Sequence, residues 1–585
     1  MAKQRAKLLI WIVLLACATS AAWGAVRGAT ELLAYFERGA DPASALNIVP
    51  NVAPDLHNRL AWDADDADTA RPIDAFTRSQ IEVAYQRAWL QWNLSYIKGE
   101  PYGLKTYFTG PALAAAGDAV RASAAGQLRV EQIDTDHQLQ LHFYSANGSI
   151  AAFTDHGALV AQVIRDASGT VVYAGETRAN YDVVMIIEDG AWHVRHWLRR
   201  DAAPAPAAGP ARSCAGCVAL AQAAAAPRLE RNGASFVAAG ANYYPQATPW
   251  DAFWAQYDPA IIDRDFSRIK GLGLNSVRVF VPYQQFGGAR IAPAMLAHLA
   301  DLLDRAQAQR LVVIVTLFDF RAEYDLLHWP DADRHLEALL TRFASHPAIL
   351  AWDLKNEPDL DDASAGAAVV DAWLAHIAAQ ARRYDPNHLL TIGWSSAGAA
   401  RRLAGSVDLV QFHFYAPAGT LAAQYAALQS AAPGRLLLLG EFGLPTWNSV
   451  FPNGHTEAEQ AAYYADVLAA ARRAGGAGYL TWTLYDFASV PANVAGRWPW
   501  QTGPQRHLGI LRADGSAKPA ASLLAPGAPL STPAPPAWAR LLKPFWLLLL
   551  GGLLASILPL DRWARRAEGH GPSRATIRRR LQRFE

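Results

Sequence analysis

Eight short, nearly continuous apolar runs recur between residues 231 and 525 of the chain. Between them lie longer stretches, such as 295–309 and 369–384, with apolar residues at three- and four-residue spacing. A strand covered on both faces is apolar throughout, and the intervening spacing is that of an amphipathic helix. Eight alternating units predict an α/β fold, a (β/α)8 TIM barrel. The apolar runs are 236–243, 276–281, 311–317, 349–354, 389–394, 409–414, 435–440 and 478–484.

A smaller unit with a different pattern occupies residues 73–201. It opens with apolar residues at helical spacing from Ile81 to Trp92, and strand-like alternation follows. The pattern predicts an α+β domain with one long helix and a curled antiparallel sheet. This unit resembles the cone-shaped nuclear-transport-factor-2-like fold. The resemblance implies a docking module or a small pocket, and we favour docking because His193 and His196 occupy positions typical of ordinary strand residues.

Stretches rich in alanine and proline separate these units from each other and from the chain ends. The predicted organisation is a signal peptide or N-terminal membrane anchor (1–26), a linker (27–72), the cone-shaped domain (73–201), an Ala/Pro-rich linker (202–230), the barrel (231–525), a Pro-rich linker (526–543), a transmembrane helix (544–560) and a basic cytoplasmic tail (561–585).

Membrane attachment is predicted from charge-free apolar runs at 8–26 and 544–560. Basic residues lie outside both runs, which would put both chain ends in the cytoplasm and the two domains outside it. The first run is compatible with a cleaved signal peptide or with an uncleaved anchor. Cys17 within it is either a lipoprotein cysteine or a buried cysteine of an anchor helix. The alternative interpretation of the second run is a core helix of a soluble domain.

Composition excludes some classes of protein. The 585 residues carry a formal net charge of +1, which offers no basic face for nucleic acid, and 52% are hydrophobic, which excludes general disorder. Cysteine occurs three times, with Cys214 and Cys217 forming a single CxxC motif. A typical zinc site needs a second pair, so the motif predicts either a local disulfide or two inert thiols.

Two glutamates follow apolar runs of the predicted barrel. Glu357 comes just after the fourth run, and Glu441 comes just after the seventh. The carboxyl ends of all eight strands meet at one face of a TIM barrel, where such enzymes carry their chemistry. Glycoside hydrolysis needs a pair of carboxyl groups, one to donate a proton and one to attack the sugar. The two positions therefore predict a glycosidase.

The barrel resembles the retaining glycosidases of the cellulase-type clan A, and glycoside hydrolase family five in particular. Asn356-Glu357-Pro358 matches the acid/base motif of that family, which implies that Asn356 holds the sugar 2-hydroxyl. Glu441 in GEFG matches the nucleophile. Arg278 in NSVRVF matches the arginine that orients the nucleophile and keeps it ionised.

Further motifs extend the resemblance along the last strands. His413 and Tyr415 in QFHFY match the pair that lines the reacting subsite, and Trp482 in YLTWTLYDF matches the aromatic platform beneath the sugar. One position departs from the family. Many relatives carry a histidine near the end of the third strand, whereas this chain has Asp319 there, which puts the substrate subsite in doubt.

The sequence thus predicts a membrane-tethered, extracytoplasmic retaining β-glycosidase for a β-glucan, β-mannan or related polysaccharide. The negative charge of Glu441 should raise the pKa of Glu357. No metal or organic cofactor is called for, because carboxylates fill both chemical roles. The expected partners are the polysaccharide and the membrane, with no nucleic acid and an unknown protein partner of the cone-shaped domain. The alternatives are a transglycosylase, a noncatalytic glycan-binding or envelope scaffold, and a functional cone-shaped domain supported by the barrel.

Overall fold

The computed structural model describes residues 59–66, 69, 71–202, 214–221, 227–447, 454–533, 548–549 and 551–552. Within those ranges the chain forms two compact units, which divide between Ala205 and Pro206. No helix in the described part of the chain is both long and apolar enough to cross a bilayer. The predicted segments 1–26 and 544–560 lie outside the described residues, apart from four positions in the second.

The first unit packs two helices against a five-stranded sheet. Helix α1, Ala75–Lys98, begins where the Asp74 side chain accepts a hydrogen bond from the Thr77 backbone, and it ends at Gly99, whose φ of 69° suits glycine. Helix α2 is Gly110–Ala125. The strands are β1 Arg59–Trp62, β2 Arg129–Tyr144, β3 Ile150–Arg165, β4 Val171–Glu188 and β5 Ala191–Ala202.

The long helix and the antiparallel pairing of β2 to β5 are as the sequence predicts. Strand β2, however, begins ten residues before the first predicted strand, which starts at position 139. Its early buried positions include Gln132, Asp134 and His137, so the apolar alternation is absent there. The resemblance to the nuclear-transport-factor-2-like fold stays a prediction.

The second unit is built on a closed barrel of eight parallel strands. A three-stranded antiparallel sheet precedes it in sequence, and Val218 and Leu229 of that sheet pack against the amino-terminal ends of barrel strands. The small sheet is β6 Val218–Ala221, β7 Arg228–Arg231 and β8 Ala234–Phe236. The barrel strands are β9 Ala238–Asn242, β10 Ser276–Pro282, β11 Val312–Asp319, β12 Ile349–Asn356, β13 Leu389–Trp394, β14 Leu409–Phe414, β15 Leu436–Phe442 and β16 Gly478–Thr481.

Helices lie between the barrel strands in sequence, and the longer ones bury one apolar face each. Helix α10 begins with a capping box, in which the Thr456 hydroxyl accepts from the Glu459 backbone and the Glu459 carboxylate accepts from the Thr456 backbone. The described helices are α3 Asp251–Ala255, α4 Pro259–Gly271, α5 Pro293–Ala308, α6 Trp329–Phe343, α7 Asp362–Ala365, α8 Ala367–Tyr384, α9 Leu421–Ala431, α10 Glu457–Ala474, α11 Ala492–Ala495 and α12 Pro499–Arg506.

All eight predicted barrel strands are confirmed, with shifted ends. Strand β12 continues two residues beyond its apolar run to Asn356, and β15 continues to Phe442. The extension of β15 comes from pairing with β14, which sets His413 opposite Glu441. Glu441 therefore lies within its strand and not just after it, and its backbone is fixed by the sheet.

Candidate active site

Glu357 lies at the carboxyl end of β12 in an unusual backbone conformation. Its φ of 45° and ψ of 51° place it in the left-handed region, which costs free energy for a residue with a side chain. The Glu357 backbone N–H donates to the Gly393 carbonyl at 2.6 Å, which fixes that conformation against the neighbouring strand β13. The chain is thus held in a strained turn that directs a carboxyl group into the barrel mouth.

Glu441 faces the same mouth from β15 and is only 5% exposed. Its Oε1 accepts a hydrogen bond from Arg278 Nη1 at 2.6 Å, and its Oε2 accepts one from the Tyr415 hydroxyl at 2.8 Å. Burial raises the pKa of Glu441, while the charges of His413 and Arg278 act in the opposite direction. The carboxyl group is therefore fixed in orientation by two donors.

Arg278 is itself held by a second buried carboxylate. Its Nε and Nη2 donate to Asp353 Oδ2 at 2.9 and 2.6 Å, and its Nη2 also reaches Asn356 Oδ1 at 2.8 Å. A Cβ on Gly393 would lie 2.7 Å from Arg278 Nη2, so the guanidinium needs a glycine at this point. Hydrogen bonds on several sides hold the Arg278 guanidinium in one position, beside Glu441.

Three residues that hold this network were missed by the sequence analysis. Asn242 Oδ1 accepts from Arg278 Nη1 at 3.0 Å, and the Thr316 hydroxyl donates to Asp353 Oδ2 at 2.9 Å. Asn242, Thr316 and Asp353 are fully buried. A polar residue inside an apolar strand was the available signal for all three, because a buried polar group in a strand must find a partner inside the barrel.

His413 connects the two catalytic candidates. Its Nδ1 lies 2.7 Å from Glu357 Oε1 and 3.5 Å from Glu441 Oε2, while its buried Nε2 has no hydrogen-bond partner among the described residues. The Nδ1–H tautomer, which donates to Glu357, satisfies this geometry. Burial tends to raise the pKa of Glu357, but the hydrogen bond and charge of His413, with the charge of Arg278, lower it.

The expectation that Glu357 has the raised pKa is therefore wrong for the free site. That expectation took account of the negative charge of Glu441 but not of the hydrogen bond that His413 donates to Glu357. In the free site the two pKa shifts run in opposite directions, lowered for Glu357 and raised for Glu441.

The two carboxyl groups are close together. One oxygen each from Glu357 and Glu441 and one ring nitrogen of His413 all lie within 4.8 Å of one another. Two carboxylates and an imidazole are groups that bind metal ions, but here the Arg278 guanidinium already supplies the positive charge beside Glu441. The spacing is close to the separation of about 5 to 5.5 Å between carboxyl groups in retaining glycosidases.

Aromatic side chains line one side of the mouth. Trp482, one residue beyond β16, is partly exposed, and its ring meets Tyr244 and Phe280 edge-on at centroid distances of 6.4 and 5.9 Å. Most other aromatic residues near the ends of the barrel strands are buried in the core. They include Tyr243, Trp250, Trp254, Trp329 and Trp394.

A stacked pair of exposed tryptophans was not anticipated. Trp498 and Trp500 are 59% and 61% exposed, and their rings are parallel to within 5° at a centroid distance of 5.1 Å. They belong to the segment that follows β16, at the carboxyl end of the barrel. Flat, solvent-facing indoles of this kind suit stacking against sugar rings.

Asp319 ends β11 beside this network and is 5% exposed. Burial raises the pKa of its carboxyl to about 7, despite the opposing charges of Lys355 and Arg278. Its Oδ2 has no hydrogen-bond partner in the described part of the chain. The residues on either side, Phe318 and Phe320, both have positive φ, 51° and 58°. A strained backbone thus holds an unsatisfied carboxyl group in the barrel mouth.

Six of the seven predicted site residues form one network of hydrogen bonds, completed by the 3.5 Å contact between His413 and Glu441, and Trp482 lies at the end of the strand next to Glu441. The Trp482 backbone donates to the Phe442 carbonyl at 2.8 Å, which ties the aromatic residue to β15. The members of the network are Arg278, Asn356, Glu357, His413, Tyr415 and Glu441. Their individual roles in a reaction stay predictions.

Comparisons with known proteins agree with this chemistry. No protein-family model matches the chain. It is similar to putative mannan endo-1,4-β-mannosidase 5 of Oryza sativa subsp. japonica, with 30% identity over 202 residues, 26% of this chain and 41% of that protein. Mannan endo-1,4-β-mannosidase 1 of the same organism is 26% identical over 196 residues, 26% of this chain and 45% of that protein.

Among solved structures, the chain is similar to an exo-β-1,4-mannosidase from Opitutaceae bacterium strain TAV5. The identity is 22% and the TM-score 0.43, over 55% of this chain and 62% of that one. The chain spans less than half the length of the two curated relatives it matches. The sequence similarities to these relatives support the predicted class of protein, a glycoside hydrolase.

Proposed function

We propose that this protein is a retaining β-glycosidase of the family-five type that hydrolyses a β-mannan or a related β-linked polysaccharide. The observation that carries the proposal is the pair Glu357 and Glu441, whose oxygens lie within 4.8 Å in one barrel mouth. A gap of this size leaves no room for a water molecule to attack beneath the sugar, so a carboxylate must attack directly.

In the first step, Glu441 attacks the anomeric carbon, and Glu357 donates its proton to the leaving oxygen. Arg278 and the Tyr415 hydroxyl hold one oxygen each of Glu441, so the carboxylate meets the sugar in a fixed orientation. Desolvation of the hydroxyl and the charge of Glu441 raise the pKa of Tyr415 well above its usual range, although the residue is 49% exposed, so the hydroxyl remains a donor.

The second step reverses the proton transfer. Once Glu441 is esterified by the sugar it carries no charge, and Glu357, now ionised, takes a proton from water as that water attacks the same carbon. The hydrogen bond from His413 stabilises the ionised form of Glu357 that this step requires. The first step instead needs Glu441 ionised and Glu357 protonated, which runs against the direction of both pKa shifts in the free site.

The substrate class is proposed from the relatives and from the surface of the barrel mouth. Both curated relatives are named as mannan endo-1,4-β-mannosidases, and the solved neighbour as an exo-β-1,4-mannosidase. Trp498 and Trp500 provide a stacking surface outside the catalytic network. Asp319 provides an unsatisfied oxygen that a sugar hydroxyl would complete.

Membrane anchoring and an extracytoplasmic location belong to the same proposal and rest on the charge pattern around 8–26 and 544–560. A reporter fused after Glu585 should be active only in the cytoplasm, and a reporter inserted in the linker 202–230 only outside it. A C-terminal reporter that is active outside would contradict two anchors. Sequencing the mature N-terminus separates an anchor from a cleaved signal peptide.

Activity is tested with purified protein on β-1,4-mannan, manno-oligosaccharides and β-1,4-glucans. NMR should show products that first appear with the β configuration. Glu441→Gln should abolish turnover, whereas Glu337→Gln on outer helix α6 is the matched control and should leave it unchanged. Products that first appear in the α configuration would contradict the retaining mechanism, and measurable binding without turnover on any of these glycans would favour a noncatalytic scaffold.

A further inference from the structure

A second cluster of reactive side chains lies at the opposite end of the barrel. Cys214 and Cys217 form a disulfide just before strand β6. Of the two predictions for this CxxC motif, a local disulfide or two inert thiols, the structure has the disulfide. His388 comes one residue before β13, and the His346 carbonyl, three residues before β12, lies beside it. The amino-terminal ends of these strands place the cluster on the face away from Glu357 and Glu441.

His388 is fully buried, and both of its ring nitrogens face acceptors. Nδ1 lies 2.6 Å from Asp385 Oδ2, and Nε2 lies 3.1 Å from the His346 carbonyl oxygen. The carboxylate and the carbonyl are both acceptors, and a hydrogen on Nε2 points between the His346 carbonyl oxygen and the sulfur atoms. The same Nε2 is 3.3 Å from Cys217 Sγ and 3.9 Å from Cys214 Sγ.

Asp385 holds the His388 ring from the side opposite the disulfide. Burial raises the pKa of the Asp385 carboxyl, but its bonds with His388, Trp352 and the Asn387 backbone outweigh burial and lower it. The Trp352 indole donates to Asp385 Oδ2 at 2.7 Å. The anion is therefore fixed by donors on several sides, and it holds His388 in place toward the disulfide.

Other charged groups around the cluster add positive potential. Arg231 Nε donates to the Gly216 carbonyl, inside the CxxC loop, at 3.1 Å. Arg382 Nη1 donates to the His388 carbonyl at 3.2 Å. The His346 side chain faces away, toward Asp304 at 3.2 Å. Two guanidinium groups thus lie close to the backbone that carries the disulfide and His388.

We propose that Cys214–Cys217 is an exchange-active disulfide that accepts electrons from a dithiol reductant, with His388 stabilising Cys217 as the leaving thiolate. A thiolate of the reductant attacks Cys214 Sγ. The sulfur–sulfur bond breaks, and its electron pair goes to Cys217 Sγ. The second thiolate of the reductant then displaces Cys214, which takes a proton, so the reductant leaves as a disulfide and both cysteines are reduced.

The direction of attack follows from the distances. A disulfide breaks faster when the leaving sulfur is the better stabilised thiolate, and Cys217 Sγ is the sulfur closer to His388 Nε2. Both cysteines are only partly buried, and Ala215 between them is exposed, so a reductant can reach the loop. This site does not depend on the glycosidase proposal, because none of its residues contacts the catalytic network.

The test uses the full-length chain with dithiothreitol as the reductant. Native wild type and His388→Gln are reduced at several pH values, quenched with iodoacetamide, and analysed by mass spectrometry for the label on each cysteine. We expect wild type to be reduced on the order of tenfold faster than the variant. Cys217 should also be labelled at lower pH than Cys214. His346→Gln, which changes the neighbouring side chain but not the contacts to sulfur, should behave as wild type.

Reduction of the urea-unfolded wild-type chain gives a reference that does not depend on how His388→Gln folds. The native chain should be reduced faster than the unfolded chain, because His388 approaches Cys217 only in the folded state. Equal rates in native wild type, unfolded wild type and His388→Gln would overturn the proposal. Stoichiometric Zn²⁺ retained by the reduced chain, with no label on Cys217 at low pH, would also overturn it in favour of a metal site.

Discussion

The buried carboxyl group of Asp319 should make the unfolding free energy depend on pH, by an amount that follows from its pKa. The folded chain raises the pKa of this carboxyl from 3.8 to about 7, mainly by burial. Between these pH values the folded state binds a proton that the unfolded state has released, so stability falls as pH rises. The difference of about 3 pH units corresponds to roughly 4 kcal/mol of unfolding free energy, at about 1.4 kcal/mol per unit.

Asp319→Asn removes this titration and keeps nearly the same shape. Near pH 4 the variant and wild type should have similar unfolding free energies, because both side chains are then neutral. By pH 8 the variant should be more stable by about 4 kcal/mol, since it buries no charge. Its kcat/KM on manno-oligosaccharides should fall, because the proposed function has the Asp319 carboxyl accept a hydrogen bond from a sugar hydroxyl.

Urea unfolding of wild type and Asp319→Asn from pH 4 to pH 8 measures this pH dependence. The unfolding free energy of the same transition is compared in the two proteins. Asp514→Asn serves as a control: that exposed carboxyl has its pKa lowered by bonds with Ser516, so it is ionised in both states above pH 4 and its stability difference from wild type should stay nearly constant from pH 4 to pH 8. A stability difference between wild type and Asp319→Asn that does not change with pH would refute the reasoning.

Three further predictions concern the catalytic face. Glu357→Ala should lose about 10²- to 10⁴-fold in rate on substrates with poor leaving groups, and azide should partly restore turnover of substrates with good ones, measured by product release. His413→Ala should move the alkaline limb of the kcat/KM profile to higher pH, because the bond from His413 lowers the pKa of Glu357; an unmoved limb would contradict this. Replacing Trp498 and Trp500 by alanine should raise KM for mannan several-fold and leave hydrolysis of a small aryl mannoside unchanged; equal loss on both substrates would indicate a folding defect.

The barrel was predictable because its strands are apolar on both faces and its helices have regular spacing. Glu357 and Glu441 could be located for the same reason, since each comes where an apolar run ends. The extension of β15 through Glu441 could not be predicted, because it depends on pairing with His413, which is distant in sequence. Tertiary contacts set strand ends, and local pattern does not report them.

The parts of the site that the sequence analysis missed are those fixed by three-dimensional packing. Asp353 stands in strand β12, four residues before Glu357, yet its role becomes visible only when Arg278 from β10 is seen to bind it. The lowered pKa of Glu357 likewise needs the position of His413. His388 is 171 residues from Cys217 in sequence, so no local pattern connects the two.

The central claim is that Glu441 attacks the sugar directly. Incubation of the protein with an activated 2-deoxy-2-fluoro-β-mannoside, followed by proteolysis and mass spectrometry, tests it, because the fluorine slows the second step and the covalent intermediate accumulates. We predict a single fluorosugar on the peptide that contains Glu441, and none in Glu441→Gln. A label on Glu357 or on any other residue, or inactivation without a covalent adduct, would contradict the account.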